Sequence, residues 1–196
     1  MLKRTSEEKE KLTEDDIRSK LRNLAHSAAL QQEYLENLLK RVVITQEIKI
    51  YSSRVLADIY AQRGMWGSAS KVLENAANSS TSFDAKKDLY VNTAILAIKG
   101  QDYLAADDAF RKAMDFARPT DKAKIQQQAK EMFMSEALSL EKNGKIAKAA
   151  KLFERILRET ASKDDKKRIM SSLMVLYEKL ARIPESINMR ELLKNM

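Results

Sequence analysis

Few side chains in this chain are able to do covalent or acid–base chemistry, and their spacing joins none of them into a catalytic set. His26 is the only histidine and cysteine is absent. Thiolate nucleophiles, disulfides, cysteine metal sites and any two-histidine metal site or proton relay are thereby excluded. The four glycines are scattered and cannot build a phosphate-cradling loop. Carboxylates are numerous, but none pairs with a separate nucleophile or metal set. The sequence therefore predicts no catalytic residue, no metal ligand set and no cofactor, which is the profile of a protein that is not an enzyme.

The charged residues can still bind. Lys and Arg together number 36 against 28 Asp and Glu, a formal net charge of +8. Lys145, Lys148, Lys151, Arg155 and Arg158 recur by 3 and 4, which puts them along one stripe of a helix. With Lys163, Lys166, Lys167 and Arg168 they make residues 142–170 strongly basic. A stripe of this kind can hold a phosphate backbone without reading its sequence. No aromatic residues interleave with the lysines to stack on bases, and no nucleic-acid motif is recognisable. A solvated outer helix face is the competing reading.

The elements that must carry these residues are helical. The chain has 196 residues, 44% of them hydrophobic and 33% charged, and so falls among neither disordered nor membrane proteins. Only 4 Gly and 2 Pro are present, too few for the turns of an all-β fold. No apolar run approaches the length of a bilayer span. The amino terminus, MLKRTSEEKEKLTEDD, lacks the apolar core of a secretion signal. The expectation is a soluble, cytoplasmic, all-α protein with a flexible segment over residues 1–12.

Thr13 followed by Glu14, Asp15 and Asp16 reads as an N-cap with acids in the first turn. It opens a predicted long helix over residues 13–43. Ile17, Leu21, Leu24, Ala28, Leu35, Leu38 and Val42 step by 4 and 3, with Gln31 in the one polar slot. This seam over 17–42 permits a homodimeric coiled coil in which Gln31 fixes register. It equally permits a helix packed on the rest of the chain, and the second strip of Ala25, Ala29, Leu39 and Val43 widens the face towards that reading.

Beyond it a pattern recurs. Leu56, Ala57, Tyr60, Gly64, Trp66, Ala69, Leu73 and Ala76 form the first copy. Ala94, Ala97, Gly100, Tyr103, Ala106, Phe110 and Ala113 form the second, and Ala137, Leu140, Gly144, Ile146, Ala149, Phe153 and Ile156 the third. Ala69, Ala106 and Ala149 are separated by 37 and 43 residues, the length of a helical hairpin with its turns. Hairpins are predicted over 45–78, 83–117, 121–160 and 164–194, turning at Gly64, Gly100 and Gly144 in the first three, where glycine suits a left-handed C-cap. In the last, degenerate copy Tyr177, Ala181, Ile183 and Ser186 keep the spacing. Arg190 replaces the bulky Leu73, Phe110 and Phe153, as befits a terminal cap.

This pattern resembles the tetratricopeptide repeat, whose signature is a small residue and tyrosine on the first helix, a turn glycine, an aromatic two residues on, then Ala-x-x-x-Phe. Residues 53–79 match best, 87–118 match with Gly100 one place early, and 130–159 match with Leu140 in place of the tyrosine. The resemblance implies an all-α right-handed superhelix of antiparallel hairpins over 44–196, preceded by the long N-terminal helix. It also implies a concave surface, lined by the opening helix of each hairpin, that binds a peptide or partner helix. The residues it places there are Arg54, Val91, Asn92, Ile95, Ile98, Lys99, Met134 and Leu138, beside Tyr51, Asp58, Glu131, Ser135 and Glu141. Some members of the family clamp acidic carboxyl-terminal tails with Lys, Asn and Arg. Asn92 fits that clamp, but Asp58, Glu131 and Ser135 depart from it. A carboxylate ligand facing Glu131 would meet a repulsion of about 1 kcal/mol or more, so an apolar or amphipathic helix is the expected ligand. The functional expectation is a non-catalytic protein–protein interaction scaffold or adaptor. The alternative is a ribosome- or RNA-associated protein docking through 142–170.

Overall fold

The computed structural model describes residues 12–41 and 43–196. Val42, and residues 1–11 of the expected flexible segment, lie outside the described residues. Every regular element among those described is an α-helix. They are α1 (Glu14–Asn23), α2 (Ala28–Leu39), α3 (Gln46–Gln62), α4 (Trp66–Ser79), α5 (Phe83–Lys99), α6 (Tyr103–Asp115), α7 (Pro119–Lys142), α8 (Ile146–Glu159), α9 (Lys163–Lys179) and α10 (Ile183–Lys194). The chain forms two compact units, Met1–Arg118 and Pro119–Met196.

Helices α3 to α10 pair as α3/α4, α5/α6, α7/α8 and α9/α10, over the four predicted hairpin ranges. One turn geometry closes all four. Met65 N–H donates to the Tyr60 carbonyl (2.8 Å), Asp102 to Ala97 (2.9 Å), Lys145 to Leu140 (2.9 Å) and Arg182 to Tyr177 (2.8 Å). The residue before each donor bonds three back, as Gly64 does to Ala61 (2.9 Å) and Gln101 to Ile98 (2.9 Å). Together these are the paired bonds of a Schellman motif, which satisfies carbonyls that the helix end would otherwise leave open. The donor residue is also the N-cap of the next helix, so no spare residue separates the two helices.

The left-handed position of the four turns is held by Gly64 (φ 72°), Gln101 (φ 62°), Gly144 (φ 71°) and Ala181 (φ 56°). Gly100 is thus not the left-handed residue expected of it. It precedes that position with φ −77°. This is why it reads one place early in the sequence pattern.

Counting from these turn residues sets the register of the cores. Ala69, Ala106 and Ala149 are fully buried, and Ser186 takes their place in α10 at 2% exposure. Ala57, Ala94 and Ala137 on the opening helices are buried too, since only small side chains let two helices approach closely at such points. Leu73, Phe110 and Phe153 fill the space beside them. Within the first unit α4 also packs on α5, and within the second α8 packs on α9.

The expected single helix over 13–43 is two helices. Leu24 C-caps α1, and the Ser27 hydroxyl accepts the Leu30 N–H (3.3 Å) to start α2. Gln31 donates its side-chain amide to the Leu21 carbonyl (2.9 Å) at the end of α1, so it satisfies a helix terminus rather than occupying a coiled-coil seam. Ile17, Leu21, Leu35 and Leu38 are buried by the chain's own fold, with α2 and, more thinly, α1 packed on α3. The interrupted seam leaves no continuous stripe for a partner helix. Thr13 and Asp16 do form the predicted N-terminal cap, a reciprocal capping box with bonds of 2.9 and 3.3 Å.

The far end also departs from expectation. Arg190 is exposed and bonds Glu178 (3.0 Å), which also accepts the Ser186 hydroxyl (3.1 Å). However, α10 leaves Ile183, Ile187 and Leu192 between 44% and 50% exposed, so its outer side is not the polar cap that Arg190 suggested.

Candidate partner-binding surface

Six residues before each left-handed turn residue stand Asp58, Ile95, Leu138 and Val175. Asp58 is exposed, Ile95 is half-buried, and Leu138 and Val175 are 50% and 39% exposed. An equivalent site on every opening helix is therefore at least partly open. It is polar in the first hairpin and aliphatic in the other three.

In the first unit, Arg54, Asn92 and Lys99 are exposed on α3 and α5. Val91 and Ile98 are buried, at 9% and 3% exposure, and this corrects their assignment to the groove: their side chains serve the interior. Tyr51 is engaged from α1, because Arg18 Nε donates to its hydroxyl (3.1 Å) and the guanidinium lies 5.5 Å from the ring centre. An open cleft of about 560 Å³ beside it is lined by Asp15, Arg18, Leu21, Arg22, Ala25, Gln31 and Val55.

The second unit contains a better-defined surface. Lys130 on α7 pairs with Asp165 on α9, and Glu141 on α7 pairs with Lys179 on α9 at 3.5 Å. The Lys130 ammonium holds the Asp165 carboxyl below the ordinary range, chiefly by its hydrogen bond. The two ion pairs span eleven residues of α7, roughly 17 Å of helix. Between them α7 presents half-buried Met134 and exposed Leu138, with exposed Glu131 and Ser135 beside them, and α9 presents Val175. Sequence reasoning named the α7 residues and missed Val175. Its signal was the spacing from Ala181, visible once Ala181 is taken as the turn residue.

The basic stripe lies in this unit as well. Ala149, Ala150, Leu152, Phe153 and Ile156 turn α8 inward, while Lys145, Lys148, Lys151 and Arg158 are exposed. Arg155 does not join them, since its guanidinium stacks over the Phe133 ring at 4.4 Å and its Nε lies 3.7 Å from Glu159. Lys163, Lys167 and Arg168 are exposed, and Lys166 is partly covered.

Two carboxylates brace the packing of successive helices. Glu36 on α2 accepts from the Tyr60 hydroxyl (2.5 Å) and from Gln32 (2.7 Å). Glu154 on α8 accepts from Tyr177 (2.8 Å) and Arg182 (3.2 Å). Burial, then the adjacent carboxylate, pushes each of these tyrosines up to about 12. Where Ala97 stands in place of the tyrosine, Glu74 on α4 instead pairs with Lys112 on α6 (3.1 Å). Each of these carboxylates thus joins one helix to another.

Among the described residues no three His, Cys, Asp or Glu side chains are grouped to hold a metal ion, and no helix is long and apolar enough to cross a membrane. No family model matches the chain, and no curated protein matches it. Among solved structures the chain is similar to BtubC (BKLC) from P. vanneervenii, with 13% identity, a TM-score of 0.43, and 92% of this chain aligned to 78% of that one.

Proposed function

We propose that the hairpins are tetratricopeptide-like repeats of a right-handed superhelix, and that the chain is a non-catalytic scaffold gripping an amphipathic helix of a protein partner. The observation that carries this reading is the framed strip between α7 and α9. Ion pairs Lys130–Asp165 and Glu141–Lys179 hold the two helices at both ends. Between them Leu138 and Val175 are open to solvent and Met134 is half-buried. Aliphatic side chains left uncovered in a row, inside a polar frame, are what a docking amphipathic helix requires. A helix of three turns has the length of the frame, and Met134 supplies a side chain that adapts to its ligand. The shared turn geometry and the buried alanines support the repeat reading.

The test is capture from lysate at about 0.1 and 0.5 M salt, conditions that bracket strong screening. Wild-type protein is compared with a folded Leu138→Glu/Val175→Glu variant. A partner retained at high salt by wild type and lost by the variant supports the groove. Its binding segment, as a peptide, should then show a negative heat-capacity change in calorimetry. Equal capture by both proteins overturns the reading.

A further inference from the structure

The 142–170 stretch holds ten basic and four acidic residues, a net +6 within a chain of net +8. Three of the four acids are already engaged: Glu154 by Tyr177 and Arg182, Glu159 by Arg155, and Asp165 by Lys130. Lys145, Lys151 and Arg158 on α8, with Lys163 and Lys167 at the start of α9, are exposed.

The fold does not require this charge. At the turn-related positions of the preceding hairpin, Asp102, Asp108 and Asp115 stand where α8 and its cap carry Lys145, Lys151 and Arg158. In the first hairpin Met65, Lys71 and Asn78 stand there. The same backbone thus tolerates acids, neutral groups or bases at these points. The concentration of cations on α8 and the start of α9 is a property of surface chemistry.

We propose that this face binds the sugar–phosphate backbone of a nucleic acid without regard to base sequence. Lys145, Lys151 and Arg158 are spread along roughly 20 Å of helix, each with a flexible stem that can meet a phosphate. No large apolar side chain is exposed between residues 142 and 170. Protein interfaces deplete lysine and need an apolar or aromatic anchor, and membrane-surface helices need an apolar flank to insert. This face has neither anchor nor flank. Binding by phosphate neutralisation and counterion release needs neither. The one aromatic residue along the stripe, Phe153, is fully buried, which removes base stacking and with it sequence preference.

The experiment is fluorescence anisotropy of the full chain with a labelled 20-nucleotide mixed-sequence RNA, and with oligo-uridine of equal length, across 50–200 mM salt. With about five phosphates neutralised, affinity should fall on the order of 100-fold over that range, and the two RNAs should agree within about threefold. Lys145→Gln/Lys151→Gln/Arg158→Gln should lower the logarithmic salt slope by about 2. A control of equal net charge, Lys20→Gln/Lys122→Gln/Lys194→Gln, should leave it unchanged, with circular dichroism confirming that both variants fold. Three results would each overturn the proposal: no RNA binding at 50 mM salt, equal loss in the control, or a 20-residue polyglutamate bound as tightly as the RNA.

Discussion

Gly100, just past the end of α5, lies against Trp66 at the start of α4: a β-carbon placed on Gly100 would sit 3.0 Å from the Trp66 Cβ. The glycine is there for space, since its φ of −77° is open to any residue. Gly100→Ala gains about 0.4–1 kcal/mol by restricting the unfolded chain. It loses about 1–3 kcal/mol by overpacking against Trp66. Packing should win, so the variant should be less stable by about 1 kcal/mol in urea unfolding at constant m. A rise in stability would mean that α4 and α5 part easily here.

Gln101 and Ala181 hold left-handed backbone at φ 62° and 56°, a conformation that costs a residue bearing a β-carbon about 1–2 kcal/mol. Gln101→Gly and Ala181→Gly recover this, less the greater chain entropy of glycine. Each should stabilise its hairpin by about 0.5–1 kcal/mol, read as a higher Tm. Gly64→Ala, at φ 72° with open space around it, should do the reverse by a similar amount.

These turns explain what could be read from the sequence and what could not. Apolar spacing and turn residues are local signals, and they mark the six helices from α3 to α8 within a few residues, whereas the last hairpin is legible only by its outer bounds. Gly100 misled because glycine marks both a left-handed turn and a close contact, and only the Trp66 neighbour separates the two. The seam of Ile17, Leu21, Leu35 and Leu38 was correctly apolar. Its interruption depended on Ser27 preferring to cap and on Gln31 reaching the Leu21 carbonyl across ten residues, a tertiary event. The resemblance places Val91 and Ile98 on the groove because a repeat position tells which helix carries a residue and not what covers it. Val175 was missed because its register hangs on Ala181, a turn residue without glycine's signature.

The N-terminal helices supply a prediction of their own. Leu35 and Leu38 are buried within the chain, and the expectation is that the seam serves the chain's own fold rather than a second copy. Leu24→Glu should leave the mass by light scattering unchanged from wild type. Gln31→Ala should cost about 1 kcal/mol through the lost bond to the Leu21 carbonyl. A fall in mass on substituting Leu24 would restore the coiled-coil reading.

Tyr60 and Tyr177, raised to about 12 by burial and by Glu36 and Glu154, make stability sensitive to alkali. The folded state keeps their protons where the unfolded chain, with tyrosine near 10, releases them. Their contribution is complete below pH 10 and is lost as pH rises towards 12. Arg63 and Arg182 stand beside them and oppose the shift. Tyr60→Phe/Tyr177→Phe should flatten the fall in Tm between pH 10 and 12 relative to wild type. It should also lower stability at pH 7 by about 1.5–3 kcal/mol per lost bond to a carboxylate. An unchanged alkaline slope would place the sensitivity in the lysines instead.

Leu138 and Leu140 stand two residues apart on α7, one 50% exposed and the other 2%. Leu140→Gln removes a packed side chain and buries an amide, and should cost about 3 kcal/mol or more. Leu138→Gln touches an open position and should stay within about 0.5 kcal/mol of wild type. The contrast fixes which face of α7 is spare. If both leucines cost alike in urea unfolding, Leu138 is part of the core and the strip between α7 and α9 is not available to a partner. If only Leu140 is costly, Leu138 can be changed without unfolding the chain. Any partner then lost from the Leu138→Glu/Val175→Glu variant has been lost from the surface itself.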